Sequence, residues 1–219
     1  MNRLQLVQEL CRLSGITDTG GPTTTISQIG DFRKAVGYID IAHEEIQLKY
    51  FDWNFLWSSS TVTTTADIAT YAGASDLHIW DEKRIYYSGN ALPVKAYQDY
   101  VPDPDRETGP PEYVVIRPNN QLLIVPTPDA AYTITYDYFR KPRVLTENST
   151  EPLIPSDYHM AIVGRALMIY ANYETAEEAK VQGQELYEMF MGALTAHEAP
   201  RRAQLQGRAE NTQIVVIPE

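Results

Sequence analysis

The 219-residue chain has one cysteine, Cys11, which rules out an internal disulfide framework and asks for no oxidising compartment. Its place on an apolar helical face marks it as a core residue rather than a reactive thiol. Long apolar runs are missing as well. No stretch approaches the roughly 20 residues that span a bilayer, and MNRLQLVQELCRLSG breaks its apolar residues with Arg3, Gln5, Gln8, Glu9 and Arg12, so no signal-peptide core is expected and no membrane partner. The chain is expected to stay in the cytoplasm where it is made. Positive charge is in deficit: 18 Lys and Arg stand against 29 Asp and Glu, a formal net charge of -11. That balance argues against gripping nucleic acid by its phosphates, which needs a cationic face that releases counterions. It is compatible with double-stranded DNA passing nearby without specific binding, because acidic walls repel a polyanion.

Catalytic patterns are also scarce. The four histidines, His43, His78, His159 and His197, are scattered. His43-Glu44 opens a zinc-protease pattern that fails at Gln47, where the second histidine should stand. A lone histidine on such a helix reads as packing. Gly73-Ala74-Ser75 is followed by Asp76 and Leu77 and makes no nucleophile elbow, and Gly20-Gly21-Pro22 lacks the lysine of a phosphate loop. Asp103, Asp105 and Glu107 imitate the start of a calcium loop, but Thr108 replaces its glycine and Val114 its closing glutamate. The carboxylate pairs Glu44-Glu45, Asp81-Glu82 and Glu177-Glu178 are adjacent in sequence, so their side chains diverge and form no acid/base couple. The expectation is a non-enzyme with no cofactor and no metal.

What is present is a strong helical signal from Pro155 to Ala199. It predicts two long antiparallel helices with almost no link, the first capped by Ser156 and the second begun by a capping box of Thr175 and Glu178. The first is apolar on most of its circumference (Tyr158, Ile162, Val163, Ala166, Leu167, Ile169, Tyr170, Tyr173), with a narrow polar stripe through Asp157, Gly164, Arg165 and Asn172. Such a helix must be covered from several directions, so it is central. The second is amphipathic, with Ala179, Leu186, Met189, Phe190 and Ala193 inward and Glu177, Gln184, Glu185 and Glu188 outward.

Residues 2–14 predict a short helix with Leu6, Val7, Leu10 and Leu13 or Cys11 inward and Gly15 as its C-cap. A Gly/Pro/Thr loop follows, then a helix from near Asp31 to about Tyr50 whose stripe (Phe32, Ala35, Val36, Ile39, Ala42, His43, Ile46, Tyr50) faces the central helix. In FDWNFLW the alternation of Trp53, Phe55 and Trp57 suits the entry to a strand, and these rings form an aromatic junction between helices and sheet. From Ser58 to about Arg140 the period is β, with turns at Ser88-Gly89-Asn90 and Pro118-Asn119-Asn120. The last strand puts Tyr132, Ile134, Tyr136 and Tyr138 on one face and Thr133, Thr135 and Asp137 on the other. After Pro200 the segment RRAQLQGRAENTQIVVIPE has no helical stripe. It reads either as a strand folded back on its own domain or as a segment that binds a partner's sheet edge or groove.

The expected class is therefore α+β: an antiparallel helical bundle with an inserted antiparallel β-rich region and an extended C-terminal tail. The helical domain is discontinuous, 1–56 and 150–199, the β-rich insertion spans 57–149, and the tail is 200–219.

The order of these pieces resembles the head-to-tail adaptor proteins of tailed bacteriophages, in particular the relatives of tail tubular protein A. The residues that carry the likeness are the N-terminal helix, the helix leading into FDWNFLW, the insertion with IWDEKRIYY and ALPV, then PSDYHMAIVGRALMIYANYE and the acidic last helix. The resemblance implies a virion neck protein, without enzymatic activity, forming a ring of usually twelve copies under the portal protein. Such a ring extends the DNA channel and offers a surface to the next tail or nozzle protein. It also implies that the tail docks into the portal, which here would involve Arg201, Arg202, Arg208, Ile214, Val215, Val216 and Ile217. Two rival readings stand beside it: a tail or baseplate component whose tyrosine-rich sheet, through Tyr136 or Tyr138, binds a glycan, and a hydrolase using two carboxylates for which no pair is nominated.

Overall fold

A computed structural model describes residues 1–16, 21–103 and 107–199 of the chain. The Asp105 part of the acidic loop and the whole segment from Arg201 to Ile217 lie outside the described residues. The fold is α+β and divides into two compact units, Met1–Phe55 with Pro142–Glu219, and Leu56–Lys141.

Among the described residues the first unit contains four α-helices: α1 (Arg3–Ser14), α2 (Gly30–Leu48), α3 (His159–Glu174) and α4 (Glu177–Glu198). α1 buries Leu6, Val7, Leu10 and Cys11 and ends at Gly15 in the left-handed conformation, as its pattern predicts. Its start uses a signal not anticipated, a capping box in which Asn2 and Gln5 satisfy each other's backbone N–H groups. α2 buries Ala35, Val36, Ile39, Ala42, His43 and Ile46 of the predicted stripe, while Phe32 is half-buried and Tyr50 lies beyond the helix. α1, α2 and α4 all pack against α3. The central helix accordingly buries residues on several sides, among them Ile162, Val163, Ala166 and Leu167.

Three details of this helical region differ from expectation. The chain enters α3 through a 3-10 turn, Ser156–Tyr158, and the Ser156 hydroxyl donates to the Asp157 carboxylate instead of capping the helix. Thr175 does not begin α4. It closes α3 in the left-handed conformation (φ 58°), donating its N–H to Ala171 O, and α4 starts from Ala176 without any side-chain cap. A two-residue link leaves no room for one residue to end one helix and cap the next. The inward face of α4 is also rotated, with Gly183, Met191 and Leu194 buried and Met189 exposed. The cause lies in the facing helix: a Cβ on Gly164 would stand 2.7 Å from Tyr187 N and 2.9 Å from Gly183 O, so the two backbones meet at a glycine pair. Gly164 pairs with Gly183 and Tyr187, and Gly183 with Met168, so the partner number rises as the other falls and the helices are antiparallel. The stripe expected to be polar is thus partly consumed by packing: Gly164 is buried and Arg165 reaches Glu45 of α2, while Asp157 and Asn172 are exposed.

Among the described residues the second unit holds eight strands: β1 (Trp57–Thr63), β2 (Thr70–Ala72), β3 (Leu77–Tyr87), β4 (Asn90–Ala91), β5 (Val94–Lys95), β6 (Tyr113–Ile116), β7 (Gln121–Val125) and β8 (Thr133–Arg140). They form two four-stranded sheets, β1-β8-β3-β4 and β2-β7-β6-β5, antiparallel except for the β5/β6 pair. Both sheets contribute to one core of Leu77, Trp80, Ile85, Val114, Leu122, Ile124, Ile134 and Tyr136. Ser88 and Gly89 have positive φ in the β3/β4 turn and Asn120 in the β6/β7 turn, where the residue types predicted turns. Between Trp80 and Ile85 the β3 register against β8 shifts, which pushes Asp81, Glu82, Lys83 and Arg84 out as a charged bulge.

Candidate functional site

The polypeptide that leaves β8 returns to the helices along residues 142–155, and this segment is held by side chains far away in sequence. Residues 142–149, expected with the β-rich region, hydrogen-bond to the helical unit. The Gln47 amide pairs with the backbone of Arg143 in both directions, accepting from its N–H (2.9 Å) and donating to its carbonyl (3.1 Å). Asn148 Oδ1 accepts from the backbone N–H and hydroxyl of Thr25. Arg3 forks onto Asp40 (2.6 and 3.1 Å) and also donates to Thr146 O. Periodicity reveals none of these contacts, because each polar residue sits on a face that is otherwise apolar or exposed.

His43 lies beside this clasp and is 1 % exposed. Gln47 Nε2 points at its Nδ1 (3.2 Å), and since that amide group is a donor the imidazole proton belongs on Nε2, which has no hydrogen-bond partner among the described residues. Burial, with the nearby His159 and Arg143, lowers its pKa to about 4. His159 is likewise buried and shifted down, chiefly by burial, and its Nε2 lies 2.8 Å from Ile154 O. Both imidazoles are packing groups kept neutral. Burial also pushes the Cys11 thiol up to about 11, away from reactivity.

The aromatic junction is only partly a cluster. Trp53 is fully buried, donates its indole N–H to Ile46 O (3.1 Å), stacks on Phe55 with centroids 5.2 Å apart, and meets Tyr50 edge-on at 4.8 Å. Phe55 itself lies in a 3-10 turn, Asn54–Leu56, that comes between Trp53 and the strand, where direct entry to β structure was expected. Trp57 starts β1 in the other unit, opposite Phe139, and is 45 % exposed. Tyr136 and Tyr138 are buried: the Tyr136 hydroxyl accepts from Ala74 N–H and that of Tyr138 donates to Asp76. Neither ring is offered to a sugar, which removes the basis given for glycan binding.

The outer face of α4 carries Glu177, Glu178, Glu185 and Glu188, exposed and without a cationic partner among the described residues. Val181, 56 % exposed, lies between the first three in a shallow recess of about 410 Å³. Asp31, Lys34, Tyr38, Tyr170 and Glu174 line a cleft of about 240 Å³ whose lysine is already paired to Asp31 and Glu174. Among the described residues no group of three or more His, Cys, Asp or Glu could hold a metal ion, and no helix is long and apolar enough to cross a membrane.

No curated protein matches the chain. The sequence profile of the family described as SU10 adaptor protein matches residues 1–212, which is nearly all of it. With its α+β architecture and the order of its helices and strands, the chain therefore belongs to the SU10 adaptor protein family, a family of structural proteins that join phage head to phage tail.

Proposed function

We propose that this protein assembles as a ring, of about twelve copies by its family likeness, between the portal and the next tail or nozzle protein, and that it works without catalysis. In this reading α3 and α4, with α1 and α2, act as one antiparallel bundle that forms a rigid stave of the ring wall, and the DNA channel continues through its centre. The observation that carries it is the family match along residues 1–212. Two physical features support it. The glycine contact between α3 and α4 makes a stiff, close-packed helical pair, which suits a lateral surface repeated around an axis. The net charge of -11 lets a polyanion pass without adhering.

The tail after Pro200 is the docking arm for the portal, with Arg201, Arg202 and Arg208 as charged contacts and Ile214, Val215, Val216 and Ile217 as its apolar end. The test is co-sedimentation with purified portal. Removal of residues 200–219 abolishes attachment while circular dichroism and thermal unfolding stay those of the full chain. Undiminished attachment would remove the arm from the account.

A further inference from the structure

The described sheets end on four strands, and three of them are very short: β2 has three residues, and β4 and β5 have two each. Brevity is a common protection of sheet edges. β1 is different. It runs for seven residues, WSSSTVT, with neither a charge nor a proline, and pairs on one side only, with β8.

Thr64 gives its backbone N–H to Tyr132 O (2.8 Å). Backbone polar groups alternate in direction along a strand, so those of Ser58, Ser60 and Val62 also face β8, and those of Ser59, Thr61 and Thr63 face away. No partner for these three amides exists among the described residues. Their side chains are exposed too. The edge is thus a row of unused donors and acceptors with nothing that repels an incoming strand.

We infer that the outer edge of β1 binds the Gln213–Ile217 segment of a second copy of this chain by strand addition. The occupant follows from the sequence. QIVVI is the only place in the sequence where four Val or Ile residues stand in a row, and it contains no charge and no proline. The 13 residues between Ala199 and Gln213 span at most about 45 Å, which sets the reach of the segment beyond the last helix. A segment on one copy and an edge on the next make a heterologous contact, which repeats head to tail around a ring. Only that closure rests on the ring proposed above; the pairing itself does not. One segment cannot fill a neighbour's edge and a portal site together, so the neighbour holds it until the portal is met.

The experiment is hydrogen exchange on the full-length protein, read at the Ser59, Thr61 and Thr63 amides, with those of Ile162 and Leu167 as a check that the fold is intact. In the native chain the three β1 amides exchange slowly. In isotope-labelled Val215→Pro they exchange about tenfold faster or more, and adding unlabelled native chain restores the slow rate. Fast exchange in the native chain overturns the inference. So does slow exchange that persists in Val215→Pro, which would mean that β1 pairs with something else, such as another β1. Slow exchange lost in Val215→Pro but not restored by native chain also overturns it, since the segment would then lie on its own molecule.

Discussion

His43 makes the helical unit sensitive to acid. The unfolded chain takes up this proton near the ordinary value of 6.5, whereas the folded chain does so near 4. Between those values the unfolded state binds more protons, so stability is whole above about pH 6.5, falls as the pH drops towards 4, and loses nothing further from this group below that. The gap corresponds to about 3 kcal/mol at most. His159 is shifted in the same direction and adds to the loss. Urea unfolding at pH 7.5 and pH 4.5 is expected to show the drop, and His43→Gln is expected to flatten it even if that variant is less stable at pH 7.5. An equally steep pH dependence in His43→Gln would place the acid sensitivity elsewhere. The sequence identified His43 as a packing residue, but the clasp that makes its neutrality matter was not legible. In the sequence Gln47 only breaks a zinc-protease pattern, whereas in the fold its amide holds Arg143, 96 residues away.

At the scale of elements, the contact between α3 and α4 offers two substitutions of one kind with opposite effects. In Gly183→Ala the new Cβ would stand 2.9 Å from Gly164 O and 3.0 Å from Met168 N, backbone atoms that yield only if the helices part. Overpacking of this sort costs about 1–3 kcal/mol, and the thermal midpoint is expected to fall by several degrees. In Gly192→Ala nothing lies within 4 Å of the new Cβ, and the residue is exposed. Removing a helix-interior glycine there contributes about 0.5–1 kcal/mol, so the midpoint is expected to rise. A fall in both, or in neither, would show that the glycine pair is not what sets the helix spacing.

The same contact shows which elements the sequence reveals. Each helix was legible because its apolar period of three and four repeats over several turns, and β8 because it alternates. The rotation of α4 was not, because Gly183 carries no hydrophobic signal although it is buried. Nor was the division of the strands into two sheets, which depends on pairings such as β2 with β7 that are far apart in sequence. The tyrosines were read correctly as sheet residues, yet only the coordinates show that Tyr136 and Tyr138 point into the core.

For the whole molecule, charge and family lead to one picture. An acidic protein whose last helix presents four glutamates with no cationic partner among the described residues gains little by closing like-charged faces together. If the proposed ring forms, its lateral contacts fall to apolar surface or to backbone pairing, the kind proposed for the β1 edge before the portal is met. The most direct test of the central claim is the mass of the assembled species, measured by native mass spectrometry on the protein alone and after mixing with purified portal. The account predicts one closed species with a fixed copy number near twelve in the presence of portal. A single copy bound per portal subunit without contact between copies, or no association at all, would contradict it.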